Sequence, residues 1–258
     1  MKPYIWYSRK SKTTGRNLCQ ELEIDGGMNS PPSDTDFLIC WGMSNGDISH
    51  LNLGSQNVCI LNHPKNSQNA VNKLESLKLL HKNDVNVAPF QSLQSIKENG
   101  MKLSFPLIGR KLVHQGGWGL FYCKKYIERA VRKGCEYFSQ FIPSDTEYRV
   151  HIFLNKVVRI SEKVPSDEEP LTNNKIRNHR FGWRFAWRPF HSEDYPIEII
   201  KESFKAIRAL KLDFGAVDVL WGKNNKPYIL EVNTAPALDG SGLNLYAEKI
   251  QSFIKRIG

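Results

Sequence analysis

Three residues near the C-terminus carry side chains that do not suit the apolar segments around them. Asp218 interrupts the run GAVDVLW, and Glu231 and Asn233 stand two apart at the end of PYILEVN. Both runs alternate like strands, so Ala216, Asp218 and Leu220 share one face while Val217, Val219 and Trp221 share the other. Glu231 and Asn233 likewise share a face, and the segment GKNNK between the runs reads as a polar turn. Antiparallel pairing through that turn brings Asp218 up to Glu231 and Asn233. Burying an aspartate there is costly unless something offsets its desolvation. Three converging oxygen donors with two negative charges, and no sulfur or imidazole, suit a hard divalent ion. Mg²⁺ or Mn²⁺ would keep part of its water shell and accept phosphate oxygens. Hydrogen bonds to turn amides account about as well for Asp218 alone, but poorly for the three together.

The chain has 258 residues, 40% hydrophobic and 24% charged, which is a globular composition large enough for two modest lobes or one large domain. No run approaches the roughly 20 apolar residues of a membrane span. The N-terminus, MKPYIWYSRK, lacks the apolar core of a signal peptide. Five scattered cysteines without metal-site spacing read as reduced thiols, as expected of a cytoplasmic protein. A formal charge of +10 favours anionic partners such as nucleotides, nucleic acid or acidic peptides, though a lysine-rich surface gives the same number.

Upstream, strands are expected at Tyr4–Tyr7, Asp36–Trp41 and Val58–Leu61, with a short helix over Arg16–Leu22. Apolar spacing predicts one amphipathic helix over Asn69–Lys82. A strand at Pro106–Ile108 and another at Val113 flank the start of the glycine-rich turn HQGGWG, and an apolar strand over Tyr137–Ile142 stops at Pro143. Tyr148–Leu154 and Lys156–Ser161 read as a hairpin turning at Asn155-Lys156. Helices are expected over Glu193–Leu210 and Leu245–Ile257.

Asp218, then Glu231-Val232-Asn233-Thr234, then a loop with Pro236 and Ser241, resembles the C-terminal signature of ATP-grasp enzymes. The likeness is greatest to the carboxylate–amine ligase branch, which holds D-alanine–D-alanine ligase, glutathione synthetase and glutamate ligases. The resemblance implies an α/β (α+β) ATP-grasp fold in which two lobes clamp ATP behind a small N-terminal lobe. It divides the chain at 1–88, 89–142 and 143–258. It implies that Asp218, Glu231 and Asn233 hold two Mg²⁺ ions, with Mn²⁺ as a substitute, against the ATP phosphates.

Other stretches fit the same pattern. FPLIGRKLVHQGGWG places Arg110, followed by Lys111, where the family has a phosphate-binding lysine; Arg forks to phosphate where Lys is a point charge. Gly116, Gly117 and Gly119 form the expected flap, and His114 would touch phosphate, serve as a base or simply pack. Gln140, Phe141 and Ile142 match the linker whose backbone reads adenine. Arg149 and Lys163 match cations facing the phosphates or the acyl substrate. Asn62-His63-Pro64 and Asn72-Lys73 match the end of the first lobe and the helix after it.

The implied reaction activates a carboxylate as an acyl phosphate and joins it to an amine, giving ADP and phosphate. The substrates would be amino acids or peptides. The tract KIRNHRFGWRFAWRP puts Arg184 near the acyl substrate, or alternatively stacks nucleic-acid bases. A nucleic-acid-acting ligase and a non-catalytic ATP-binding module are therefore the competing readings. Two segments are left unassigned: the basic loop SRKSKTTG, an anion site or a mobile loop, and SDEEPLTNN, a surface insertion.

Overall fold

The computed structural model describes residues 1–46, 48–49, 51, 58–112, 119–187 and 194–257. Three sheets organise the chain. The first is parallel, built from β1 (Pro3–Tyr7), β2 (Asp25–Gly27), β3 (Phe37–Trp41) and β4 (Cys59–Leu61) in the order β2-β1-β3-β4. The second is antiparallel, from β5 (Phe90–Ser92), β6 (Leu107–Arg110), β7 (Phe121–Cys123) and β8 (Tyr137–Gln140) in the order β5-β8-β6-β7. The third, also antiparallel, runs β11-β10-β9-β12-β13. It uses β9 (Ser144–Phe153), β10 (Lys156–Pro165), β11 (Trp183–Trp187), β12 (Phe214–Gly222) and β13 (Pro227–Asn233).

Among the described residues seven α-helices cover these sheets: α1 (Lys12–Leu22), α2 (Pro64–Val71), α3 (Lys73–Lys82), α4 (Leu93–Asn99), α5 (Glu128–Arg132), α6 (Ile197–Ala209) and α7 (Gly240–Ile257). The largest core lies beneath the third sheet, where Ile199 and Ile207 of α6 meet Val217, Val219, Ile229 and Val232. Leu74, Leu77 and Leu80 of α3 pack into that same core, although sequence order groups α3 with the first lobe. A second core joins the first sheet to the third: Trp41 stacks on Phe214 at 5.0 Å and meets Tyr246 of α7 edge-on at 5.5 Å.

Several expected boundaries shift for local reasons. The single helix over 69–82 is two, because Asn72 leaves helical geometry (φ −79°, ψ 110°) and caps α3, accepting from the Leu74 and Glu75 amides at 3.1 and 3.2 Å. Leu154-Asn155, not Asn155-Lys156, turns the β9–β10 hairpin, with φ of +45° and +61° as in a type I′ turn. The α6 helix starts after Pro196, at Ile197, while Glu193 lies outside the described residues. Val113 also lies outside them. The α7 helix begins five residues early, at Gly240.

Asn62 ties the first sheet to the strand that bears Asp218. It sits in left-handed geometry (φ +55°), which asparagine tolerates, and is fully buried. Its Oδ1 accepts from the amides of Asp213 (2.8 Å) and Phe214 (3.2 Å), and its Nδ2 donates to the Phe214 carbonyl at 2.9 Å. Asn62→Ala would strand these buried groups and put a Cβ-bearing residue without a polar side chain at positive φ. We expect it to cost about 2–4 kcal/mol in urea unfolding, and a loss below about 0.5 kcal/mol would contradict this role.

Candidate active site

One face of the third sheet lines a cleft of about 1130 Å³ that also takes in the end of the second sheet and the loop after β1. The register aligns its polar residues in rows. Ser161, Arg149, Asp218 and Glu231 stand side by side across β10, β9, β12 and β13. Beside them, His151 faces Arg159 on one side and Ala216 on the other, and Ala216 faces Asn233. The expected antiparallel meeting of Asp218 with Glu231 and Asn233 is therefore what the strands form.

A bulge refines it. Asp218 pairs with Glu231 but Val219 pairs with Ile229, so Leu230 is an extra residue on β13. Ile229 and Val232 both stay in the core, while Leu230, Glu231 and Asn233 all line the cleft. Simple alternation would have turned Leu230 away from Glu231.

Each carboxylate is held by a cation. Asp218, 5% exposed, takes a forked pair from Arg149, with Nε–Oδ1 at 2.6 Å and Nη2–Oδ2 at 2.8 Å. Lys73, the first residue of α3, reaches Glu231 at 3.4 Å, and the Asn233 amide donates to Glu231 at 3.4 Å. Lys163 pairs with Glu147 at 2.6 Å. Burial pushes the Glu147 carboxyl up, against the pull of Lys163. Phe185 lies under two of these cations, 4.1 Å from the Arg149 guanidinium and 4.5 Å from the Lys163 ammonium.

Gln140, Phe141 and Ile142 line the cleft where the second sheet leads into the third. The Gln140 amide donates to the Pro89 carbonyl at 2.8 Å and the Phe141 amide to that of Pro106 at 2.9 Å. Both are thus spent within the protein. Arg110 lines the cleft too, and its Nε is buried without a hydrogen-bond partner. Lys111 instead lies exposed alongside Gly119, where a Cβ would stand 3.2 Å from its stem. Gly119 has φ of +83°, which favours glycine. His114, Gly116 and Gly117 fall outside the described residues.

Arg184 sits at the exposed rim, paired with Asp167 at 2.6 Å. The aromatic residues of its tract serve the site's own cations: Arg177 lies over Trp183 at 5.1 Å, and Phe185 under Arg149 and Lys163. Each of these rings thus has a face against a cation of the site. Lys73, Glu147, Arg159 and Arg177 were not among the expected site residues. Two had a legible signal: Lys73, after the Asn72 cap that starts α3 beside the cleft, and Glu147, two residues before Arg149 in the step Glu147-Tyr148-Arg149.

The donor set fits a hard divalent ion. Arg149 and Lys73 now supply positive charge to Asp218 and Glu231, which an ion bound there would supply instead. Among the described residues no group of three or more His, Cys, Asp and Glu converges, and the set here is two carboxylates and one carboxamide. All five cysteines are free, and no described helix is long and apolar enough to cross a membrane.

His151 is 2% exposed, and its Nδ1 lies 3.2 Å from the Tyr246 hydroxyl. Burial, with Arg149 and Arg159 nearby, holds its pKa well below the usual imidazole value. The unfolded chain therefore binds a proton below about pH 6.5 that the folded chain refuses. Stability should fall as pH drops through that region, by up to about 1.4 kcal/mol per pH unit from this group. His151→Gln, which keeps a polar partner for Tyr246, should flatten the fall in denaturant titrations between pH 7 and 5. Parallel wild-type and variant curves would contradict the assignment.

No family model matches the chain, and no curated protein matches it. Solved structures do. The chain is similar to D-alanine–D-alanine ligase from Bacillus anthracis at 18% identity and a TM-score of 0.69, covering 97% of this chain and 92% of that one. It is similar to the ATP-grasp ligase PsnB complexed with a minimal precursor at 10% identity and a TM-score of 0.66, covering 97% and 99%. A RimK-domain ATP-grasp protein from Sphaerobacter thermophilus matches at 13% identity and a TM-score of 0.62, covering 96% and 98%. The chain matches these structures over nearly its whole length, and its fold is the ATP-grasp fold.

Proposed function

We propose that the protein is an ATP-dependent ligase that activates a carboxylate as an acyl phosphate and joins it to an amine of an amino-acid or peptide substrate. The observation that carries this reading is the register that sets Asp218 against Glu231 and Ala216 against Asn233, facing a cleft rich in cations. In this reading 1–88, 89–142 and 143–258 act as three lobes, the last two closing on ATP. The same fold is recorded with ATP in the Bacillus anthracis ligase and with Mg and ADP in PsnB.

ATP would lie between the two antiparallel sheets. Its base would meet the 140–142 linker, where the committed amides of Gln140 and Phe141 leave Ile142 as the backbone contact. Leu220 and Leu230 supply apolar surface in the same cleft. Two Mg²⁺ ions, or Mn²⁺, held by Asp218, Glu231 and Asn233 would offset phosphate charge when bound. Arg110, with its unpartnered Nε, is the phosphate contact in preference to Lys111. Arg149, once an ion shares Asp218, can turn its fork toward the phosphate or the acyl group, and Lys163 adds charge on the same side. Arg184 stays at the rim.

The carboxylate oxygen attacks the γ-phosphorus, and the bond to ADP breaks. An amine nitrogen then attacks the acyl carbon, the carbon–phosphate-oxygen bond breaks, and the amine loses a proton. The chain's residues orient these groups and keep water out, since an acyl phosphate hydrolyses readily.

Product analysis by ³¹P NMR, with ATP, Mg²⁺ and pooled amino acids and short peptides, tests the reading. We expect ADP and phosphate. Glu231→Gln should lower turnover by at least about a thousandfold, the scale of losing electrostatic stabilisation at a transferred phosphoryl group, while circular dichroism stays unchanged. AMP with pyrophosphate, or wild-type rates in the variant, would overturn it.

A further inference from the structure

Two polar atoms at the edge of the cleft are buried without a partner, and their residues stand opposite each other. Arg110 and Tyr137 pair across β6 and β8, so their side chains leave the second sheet on the same face. Among the described residues, Arg110 Nε and the Tyr137 hydroxyl each lack a hydrogen-bond partner. Arg110 lines the cleft, whereas Tyr137 is 0% exposed and does not line it. Burial raises the pKa of the phenol, with Arg110 opposing the rise and Glu231 adding to it. The two side chains are thus close enough to interact, yet no N–H of the guanidinium is aligned on the phenol oxygen.

The empty fold gains nothing from this hydroxyl. The Tyr137 ring belongs to the largest core, with Leu77 and Leu80 of α3 and Val217 of β12. A phenylalanine would fill that space as well, and the next residue, Phe138, is itself fully buried. A buried hydroxyl left unpaired costs stability, so its use lies in another state of the protein. Arg110 supplies the reason. A lysine brings one compact charge to a phosphate, but a guanidinium is a planar fork of five donors and works only when its plane is oriented. An arginine in this position therefore needs a second group to hold it.

We propose that Tyr137 is the positioning residue for Arg110. When a nucleotide phosphate engages the guanidinium, the phenol oxygen accepts from one of its N–H groups and so holds the others on the phosphate. Tyr137 itself does not touch the nucleotide. This inference rests on the reading of Arg110 as a phosphate contact and adds to it the residue that aims the fork.

Tyr137→Phe separates this role from packing. In urea unfolding without ligand the variant should be at least as stable as the wild-type protein, since it loses only an unpaired hydroxyl. A lowered midpoint would show the hydroxyl serving the empty fold and would overturn the proposal. Isothermal titration with Mg²⁺ and a non-hydrolysable ATP analogue then reads the liganded state. Y137F should bind the analogue about tenfold more weakly, the scale of one hydrogen bond to a charged group. R110Q removes the group that Tyr137 holds and should bind more weakly still. The double variant Y137F/R110Q should match R110Q within about twofold, because the hydroxyl acts only through the guanidinium. Wild-type affinity in Y137F, or a further tenfold loss when Y137F is added to R110Q, would overturn the proposal and leave the ligase reading intact. A wild-type protein that binds no nucleotide would overturn the ligase reading, and this inference with it.

Discussion

Opposite charges held side by side on a buried sheet face are the constraint on which the rest of this structure depends. Asp218 and Glu147 are almost fully enclosed, and burying a carboxylate is costly unless a cation at hydrogen-bonding distance offsets its desolvation. Arg149 and Lys163 supply it, and the strand register delivers both. Removing one partner from such a pair typically costs about 3–5 kcal/mol, because the other charge is left buried alone. A sheet used only as scaffold gains little from this arrangement, since apolar side chains of like size do as well or better. The charges make sense as a reserve of attraction directed at a ligand that is itself highly charged.

Holding that face in place requires contacts far from it. The β12 strand is clamped from beneath by α3 and α6, and its first residues are bound to the first sheet through Asn62 and the stack of Trp41 on Phe214. The same link fixes where the loop after β1 stands relative to the end of β13. Packing of the first sheet therefore shapes one end of the cleft, while the second sheet shapes the linker end through Gln140 and Phe141. Lys175, 5.9 Å from the Phe141 ring, and Arg177, donating to the Ser144 carbonyl, stand at the linker end.

The acid–amide hairpin was legible in sequence because alternation with period two and a polar turn fix which side chains share a face. Asp218 and Asn233 obeyed that rule directly. Leu230 did not, since a one-residue bulge leaves no mark in a hydrophobic pattern. Arg149 and Lys163 were visible as cations near the expected site, but their pairing with Asp218 and Glu147 depends on the register of strands about 70 and 16 residues apart, which no local pattern encodes. The break at Asn72 was missed because capping by asparagine competes with a helical apolar stripe that runs through it. Arg159 shares the cleft face with Ser161 and Lys163 by simple alternation, but its partner Asp239, just before α7, comes 80 residues further along the chain.

The central claim is that Asp218, Glu231 and Asn233 together grip a divalent ion beneath a triphosphate. Electron paramagnetic resonance of Mn²⁺, titrated into the protein with a non-hydrolysable ATP analogue, measures that ion directly and needs no turnover. The account predicts protein-bound Mn²⁺ that appears only with nucleotide and is lost in Asp218→Asn. Mn²⁺ bound equally well by the variant, or not bound by the wild-type protein with nucleotide present, would contradict it.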